Sequence, residues 1–159
     1  MSIGDFIRSE FTTETDNLQT RVLSGLLEKS GRSTIEMLEI AKQNLESHFA
    51  VHGITEYFED SILLIRDALQ WSPSFHWSAQ EISCDQKTPY FERTNVSILR
   101  PRREDQSQDD MDAIMSYTEL DRDLYTHAKE LFLQKVRLQP KSFKKEVLAL
   151  KALSDANVQ

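Results

Sequence analysis

The chain holds a single cysteine, four glycines and four prolines among its 159 residues, and each scarcity excludes something. One thiol, Cys84, cannot close an intramolecular disulfide or build a cysteine zinc cluster. It suits a reducing compartment, and with no basic, apolar leader at the N-terminus the expectation is a cytoplasmic chain. Glycines at 4, 25, 31 and 53 are too few and too scattered to form a phosphate-cradling loop. Basic charge is also short: a formal net charge of −7 excludes a general nucleic-acid binder, which needs a cationic face to displace counterions. Apolar runs such as "ILLI" at 62–65 are far too short to cross a bilayer.

What is present reads as one domain over residues 1–159, rich in helical period. Ile3, Phe6 and Ile7 predict a short first helix, and the polar stretch to residue 32 reads mostly as loop. "STIE" at 33–36 has the form of a capping box with Ser33 at the cap. Ile35, Leu38, Ala41 and Leu45 continue as the buried stripe of a helix to residue 47. Residues 48–54, "HFAVHGI", change to a period of two with both faces largely apolar, which predicts a strand covered on both sides. Thr55 reads as the cap of the next helix, with Phe58, Ile62, Ile65 and Leu69 facing inward. Residues 72–112 read as a long irregular segment ending in the acidic "EDQSQDDMD". "ELDRDLYTHAKELFLQKVRL" predicts a long helix, with Leu120, Leu124, Ala128, Leu131 and Val136 along one side. Pro140 suits the start of a last helix.

One strand among several helices cannot satisfy its own backbone groups. Either weaker strands lie in 75–100, or the rest of the sheet comes from elsewhere. Left at an open edge, the predicted strand invites pairing with a second copy or with a chain that supplies its neighbours.

Few residues carry chemistry by pattern alone. On a strand, His48 and His52 would share a face at about 13 Å separation, too far for one metal ion. His76, His127 and Cys84 have no evident carboxylate or nucleophilic partner nearby in sequence. No catalytic residue and no metal ligand is assigned. Two clusters remain. "DNLQTRVLSG" at 16–25 crowds hydrogen-bonding side chains, Asn17 and Arg21 among them. "RTNVSILRPRR" at 93–103 sets Arg93, Arg100, Arg102 and Arg103 beside Asn95 and Ser97, a donor set that matches phosphate or sulfate. From composition alone, a solvated loop offset by the acids that follow explains the second cluster slightly better.

"DNLQTRVLSG", then "LEIAKQNLESHFAVHGITEYFEDSILLIRDALQW", then "LDRDLYTHAKELF" together resemble the C-terminal half of the carbohydrate sulfotransferases. The nearest group is that of heparan sulfate 2-O-sulfotransferase and its bacterial relatives. The matching positions are Ala41 and Lys42, Asn44 and Leu45, and His52 to Glu56. Further along they are Phe58, Ser61, Leu63 and Leu64, then Asp121, Leu124, Tyr125, Ala128 and Phe132. His52 stands where that family usually has valine. The specificity lies in the order and spacing of these elements across most of residues 1–139.

The resemblance implies an α/β, P-loop-like sulfotransferase fold, represented here by a mostly helical C-terminal half with one strand. It implies 3′-phosphoadenosine 5′-phosphosulfate as co-substrate and a glycan or other hydroxyl acceptor as partner. Asn95, Ser97, Arg100, Arg102 and Arg103 would face the nucleotide, and Asn17 and Arg21 the acceptor or donor mouth. The family's donor loop and catalytic base belong to a first half with no counterpart here, so a truncated or split enzyme, inactive alone, is expected. A noncatalytic binding or regulatory module, or a plain helical structural protein, are the alternatives.

Overall fold

The computed structural model describes residues 3–8, 16–71, 104 and 106–156. Among these residues there are only helices and connections, and no strand. The helices are α1 (Ile3–Arg8), α2 (Leu18–Ser24), α3 (Ile35–Ser47), α4 (Phe58–Ala68), α5 (Gln108–Tyr117), α6 (Glu119–Arg137) and α7 (Lys141–Ala156). A short 3₁₀ turn, Thr55–Tyr57, leads into α4. The chain divides into two compact units: Met1–Ala50 with Pro101–Leu131, and Val51–Arg100 with Phe132–Gln159. Helix α6 gives residues to both.

In the first unit α2 packs on α3, and α1 packs on α5. Leu38, Ala41 and Leu124 form the buried apolar cluster, with Leu23 and Leu120 against it. The Thr34 hydroxyl, not Ser33, caps α3 by accepting from the Met37 amide at 3.3 Å. Ser33 is diverted to Asp16, and Ile35 is left exposed while Met37 takes its expected place inside.

The loop expected before residue 33 contains α2. Its inward face is polar: Thr20, Arg21 and Ser24 are buried while Leu18 and Val22 face solvent. Apolar periodicity cannot reveal a helix oriented that way. Gly25 ends it in the left-handed conformation, φ 74°, with its amide donating back to Val22. The irregular segment expected to run to residue 112 gives way to α5, whose cap Ser107 accepts from the Asp110 amide at 3.1 Å. The acids Asp109 and Asp110 that read as solvated loop sit in its first turn, where they complement the helix dipole.

The strand expected at 48–54 is absent. His48 terminates α3, and 49–54 run as an irregular connection. At the end of the segment, the backbone groups of Ile54 are met by one side chain. Ser61 Oγ accepts from the Ile54 amide at 2.9 Å and lies 3.0 Å from the Ile54 carbonyl and 2.7 Å from that of Tyr57. Gly53 permits this approach, since a Cβ there would lie 2.9 Å from Ser61 Cβ. With no strand in this segment, the edge-pairing ground for self-association or for a sheet-completing partner is removed. The rest of the expected fold, a phosphosulfate-binding α/β sheet, finds no strand among the described residues.

In this second unit α4 packs on α7. Ile54, Leu63, Leu64, Phe132, Phe143 and Val147 are buried, and the rings of His52 and Tyr57 lean on Phe132 at 6.5 and 5.7 Å. The inward face of α4 is rotated from the expected stripe: Phe58 and Leu69 are exposed, and Ser61, Leu63 and Leu64 are buried. Arg66 joins Asp67 and Glu146 at 2.7 and 2.6 Å. Burial acts to lower its basicity, but the hydrogen bonds to Glu146 and Asp67 outweigh this and hold the guanidinium above its ordinary value.

Candidate functional site

The described residues contain one buried concentration of polar groups, and it lies in the first unit around Asp16, Asn17, Thr20, Arg21 and Asp121. Asn17 is its pivot. Its backbone takes the left-handed conformation, φ 47°, which asparagine tolerates better than most residues. Its amide donates to the Tyr117 carbonyl at 3.1 Å. Its side-chain Oδ1 accepts from the amides of Leu120 and Asp121 at 2.8 and 3.1 Å, which are free donors of the first turn of α6.

Asp121 returns the service to α2. Its carboxylate accepts from the Gln19 amide at 3.2 Å and from the Thr20 amide and hydroxyl, both at 2.7 Å. Each helix thus starts on a side chain carried by the other, across 104 positions of sequence. Two negative ends of polar side chains at two positive helix ends are favourable twice over, through hydrogen bonding and through the dipoles.

Arg21 fills the space beneath. Its side chain is fully buried, with Nε donating to the Asp16 carbonyl at 3.2 Å and Nη1 to the Lys29 carbonyl at 2.8 Å. Nη2 donates to Asp16 Oδ1 at 3.0 Å and to the Gly31 carbonyl. Asp16 also accepts from the Ser33 amide, at 3.0 Å to Oδ2, and its own carbonyl accepts from the Ser33 hydroxyl at 2.8 Å. The 25–33 loop is therefore tied down by one guanidinium and one carboxylate.

This arrangement places Asn17 and Arg21, the residues expected at an acceptor mouth, in the interior: 5% and 0% exposed. Their polar atoms hold the protein's own backbone. Asp16 and Thr20, from the same 16–25 cluster, and Asp121, about a hundred positions away, complete the junction. Asn95, Ser97, Arg100, Arg102 and Arg103, expected at the nucleotide, lie outside the described residues, as do His76 and Cys84.

His127 does have a carboxylate partner, contrary to its sequence surroundings: Nε2 lies 2.8 Å from Glu46 Oε1. The pair lines an open groove with Glu36, Glu39, Lys42 and Gln43. Three carboxylates against one lysine repel phosphate and sulfate, so this groove is no match for an anionic donor. Among the described residues no group of three or more histidine, cysteine or acidic side chains is placed to hold a metal ion. No described helix is long and apolar enough to cross a membrane. Comparison with protein-family models, with curated proteins and with solved structures finds no match for this chain.

Proposed function

We propose that the chain is the helical C-terminal part of a carbohydrate sulfotransferase of the heparan sulfate 2-O type. It serves transfer of a sulfuryl group from 3′-phosphoadenosine 5′-phosphosulfate to a glycan hydroxyl. The donor-cradling loop and the acceptor base are supplied by a separate half, and this part does not turn over alone. Within it, Asn95, Ser97 and Arg100 are the first candidates for contact with the nucleotide and Arg102 and Arg103 the second, because guanidinium forks balance the charge around a transferring sulfuryl group.

One observation carries the reading. Among the segments whose order and spacing together carry the resemblance, "NLQTR" and "LDRDLYTHAKELF" contribute Asn17 and Asp121, which cap each other's helices. The contact joins two of the segments on which the resemblance was drawn. The matched Gly53 and Ser61 also lie near each other, since a Cβ at Gly53 would stand 2.9 Å from Ser61 Cβ. Asn17 and Arg21 accordingly act as scaffold for the site rather than as ligands.

The test is transfer of labelled sulfate from the activated donor to a panel of glycosaminoglycans. The chain is assayed by itself and mixed with the donor-binding half of a heparan sulfate 2-O-sulfotransferase. Transfer only in the mixture is expected. Transfer by the chain alone would overturn the division of labour. Failure of the mixture, with no calorimetric binding of adenosine 3′,5′-bisphosphate, would overturn the family reading. Nucleotide or glycan binding without turnover in the mixture favours the noncatalytic binding module instead.

A further inference from the structure

Helices α5 and α6 meet at a tight corner, and a side-chain contact crosses it. Thr118 alone separates them: its amide donates to the Ile114 carbonyl, and its own carbonyl accepts from the Arg122 amide, both at 3.0 Å. Across this corner Arg122 Nη1 donates to Met115 Sδ at 3.5 Å. The match is uneven, because a guanidinium is a strong charged donor and a thioether sulfur a weak acceptor. Among the described residues Arg122 enters no ion pair, so no carboxylate competes for it. Met115 is 42% exposed and lines an open groove with Met111, Glu104, Gln106, Gln108 and Asp112. Met111 is half-buried, and Met37, in the core, is fully buried.

We propose that Met115 is an oxidation site for a neutral hydroperoxide and that Arg122 holds the product. The sulfur lone pair attacks one oxygen of hydrogen peroxide, and the S–O bond forms as the O–O bond breaks. Sulfur loses two electrons, the peroxide gains them, and the departing oxygen takes up the proton of the transferred one and leaves as water. Exposure ranks Met115 first among the described methionines. Glu104 and Asp112 beside it repel anionic oxidants and admit an uncharged peroxide. The geometry suits the product as well. A hydrogen bond of about 2.9 Å to an oxygen one bond from sulfur leaves the donor nitrogen about 3.5–3.9 Å from that sulfur. Arg122 already stands at that distance.

Oxidation of a packed methionine disrupts its surroundings, because the sulfoxide is polar. In water and beside a cation, the same change replaces a weak contact with a charge-assisted hydrogen bond. That bond spans the corner on which the α2–α6 junction rests. The Tyr117 carbonyl holds the Asn17 amide there, and Asn17 Oδ1 holds the amides of Leu120 and Asp121. Oxidation therefore tightens the junction.

The test treats the full chain with limiting hydrogen peroxide and follows its methionines by peptide-mapping mass spectrometry. Met115 sulfoxide should form at least fivefold faster than Met111 sulfoxide, and Met37 should react only in urea. After oxidation, hydrogen exchange at the Asn17 and Leu120 amides should be at least threefold slower. Arg122→Leu should still oxidise at Met115 but show no such slowing. Met115→Leu, which keeps the other methionines, should show none either. Oxidation of Met111 as fast as Met115, exchange that is unchanged or faster in the oxidised parent, or slowing that survives in either variant would each overturn the proposal.

Discussion

The reciprocal caps between α2 and α6 make a quantitative prediction. In Asp121→Ala, the Thr20 amide and hydroxyl both lose their acceptor, and Thr20 is fully buried, so water cannot replace it. An orphaned buried donor costs about 1–3 kcal/mol, and the hydroxyl can rotate to recover part of its loss. The Gln19 amide is exposed and re-solvates. The variant should therefore lose roughly 2–4 kcal/mol, a large share of the 5–15 kcal/mol typical of a folded domain. Asn17→Gly removes the other cap while keeping the left-handed backbone at ease, and should cost about 1 kcal/mol.

Because each side chain holds the helix that presents the other, losing one loosens the partner cap. The double variant should then be less damaging than the sum, with a coupling of about 1 kcal/mol. Urea melts followed at 222 nm give the four free energies. With a urea dependence of about 1–3 kcal/mol per molar, Asp121→Ala alone should shift the midpoint by on the order of 1–2 M. Hydrogen exchange at the amides of Thr20 and Leu120 reports the junction locally and should accelerate in all three variants. Strict additivity, or an Asp121→Ala cost below about 0.5 kcal/mol, would refute the account of a mutually dependent junction.

Two further outcomes follow from other parts of the chain. Gly53→Ala should destabilise the second unit by about 1–3 kcal/mol, because the new methyl lies 2.9 Å from Ser61 Cβ, on the side chain that secures Ile54; thermal melts of the variant check it, and an unchanged midpoint would mean that the 53–54 connection has room to move. Arg100→Ala should weaken adenosine 3′,5′-bisphosphate by roughly 1.5–3 kcal/mol if a phosphate is its partner, read by calorimetry, and unchanged affinity removes Arg100 from the proposed site.

Helices whose buried face is apolar were legible from spacing. Leu38, Ala41 and Leu45 on α3, and Leu124 on α6, sit inside at the intervals their sequence shows. The fully buried Phe132 stands outside the stripe expected for α6, and Leu131 and Val136 within it are half-buried. Helix α2 was not legible, because it turns Thr20, Arg21 and Ser24 inward and leaves Leu18 and Val22 in water. What makes that inversion stable is Asp121, a residue no local window contains. The apolar run at 48–54 invited a strand for the same reason in reverse. The backbone N–H and C=O of Ile54 are served by Ser61, seven positions beyond, so no neighbouring strand is required at that residue. For the site, Asn17 and Arg21 stood out in the sequence as hydrogen-bonding side chains for a polar ligand, and in the structure their bonds run inward to the protein's own backbone and side chains.

Arg21 decides between scaffold and ligand contact. It donates to Asp16, Lys29 and Gly31 from a fully buried side chain. A lysine in its place keeps the charge but presents one nitrogen, which cannot reach carbonyls on both sides of the 25–33 loop at once. Arg21→Lys should therefore cost roughly 2–4 kcal/mol even though the Asp16 carboxylate keeps a cation nearby. Arg21→Met, which leaves that carboxylate buried and unpaired, should cost about 3–5 kcal/mol. If the role is scaffolding alone, nucleotide and glycan affinities measured well below the melting temperature should match the parent protein in Arg21→Lys. The opposite pattern would be diagnostic: a variant as stable as the parent that has lost ligand would mean the guanidinium reaches a ligand rather than its own backbone. Stability and affinity must be read on the same preparation, because a partly unfolded sample mimics weak binding, and only the affinity of the folded fraction separates the two roles.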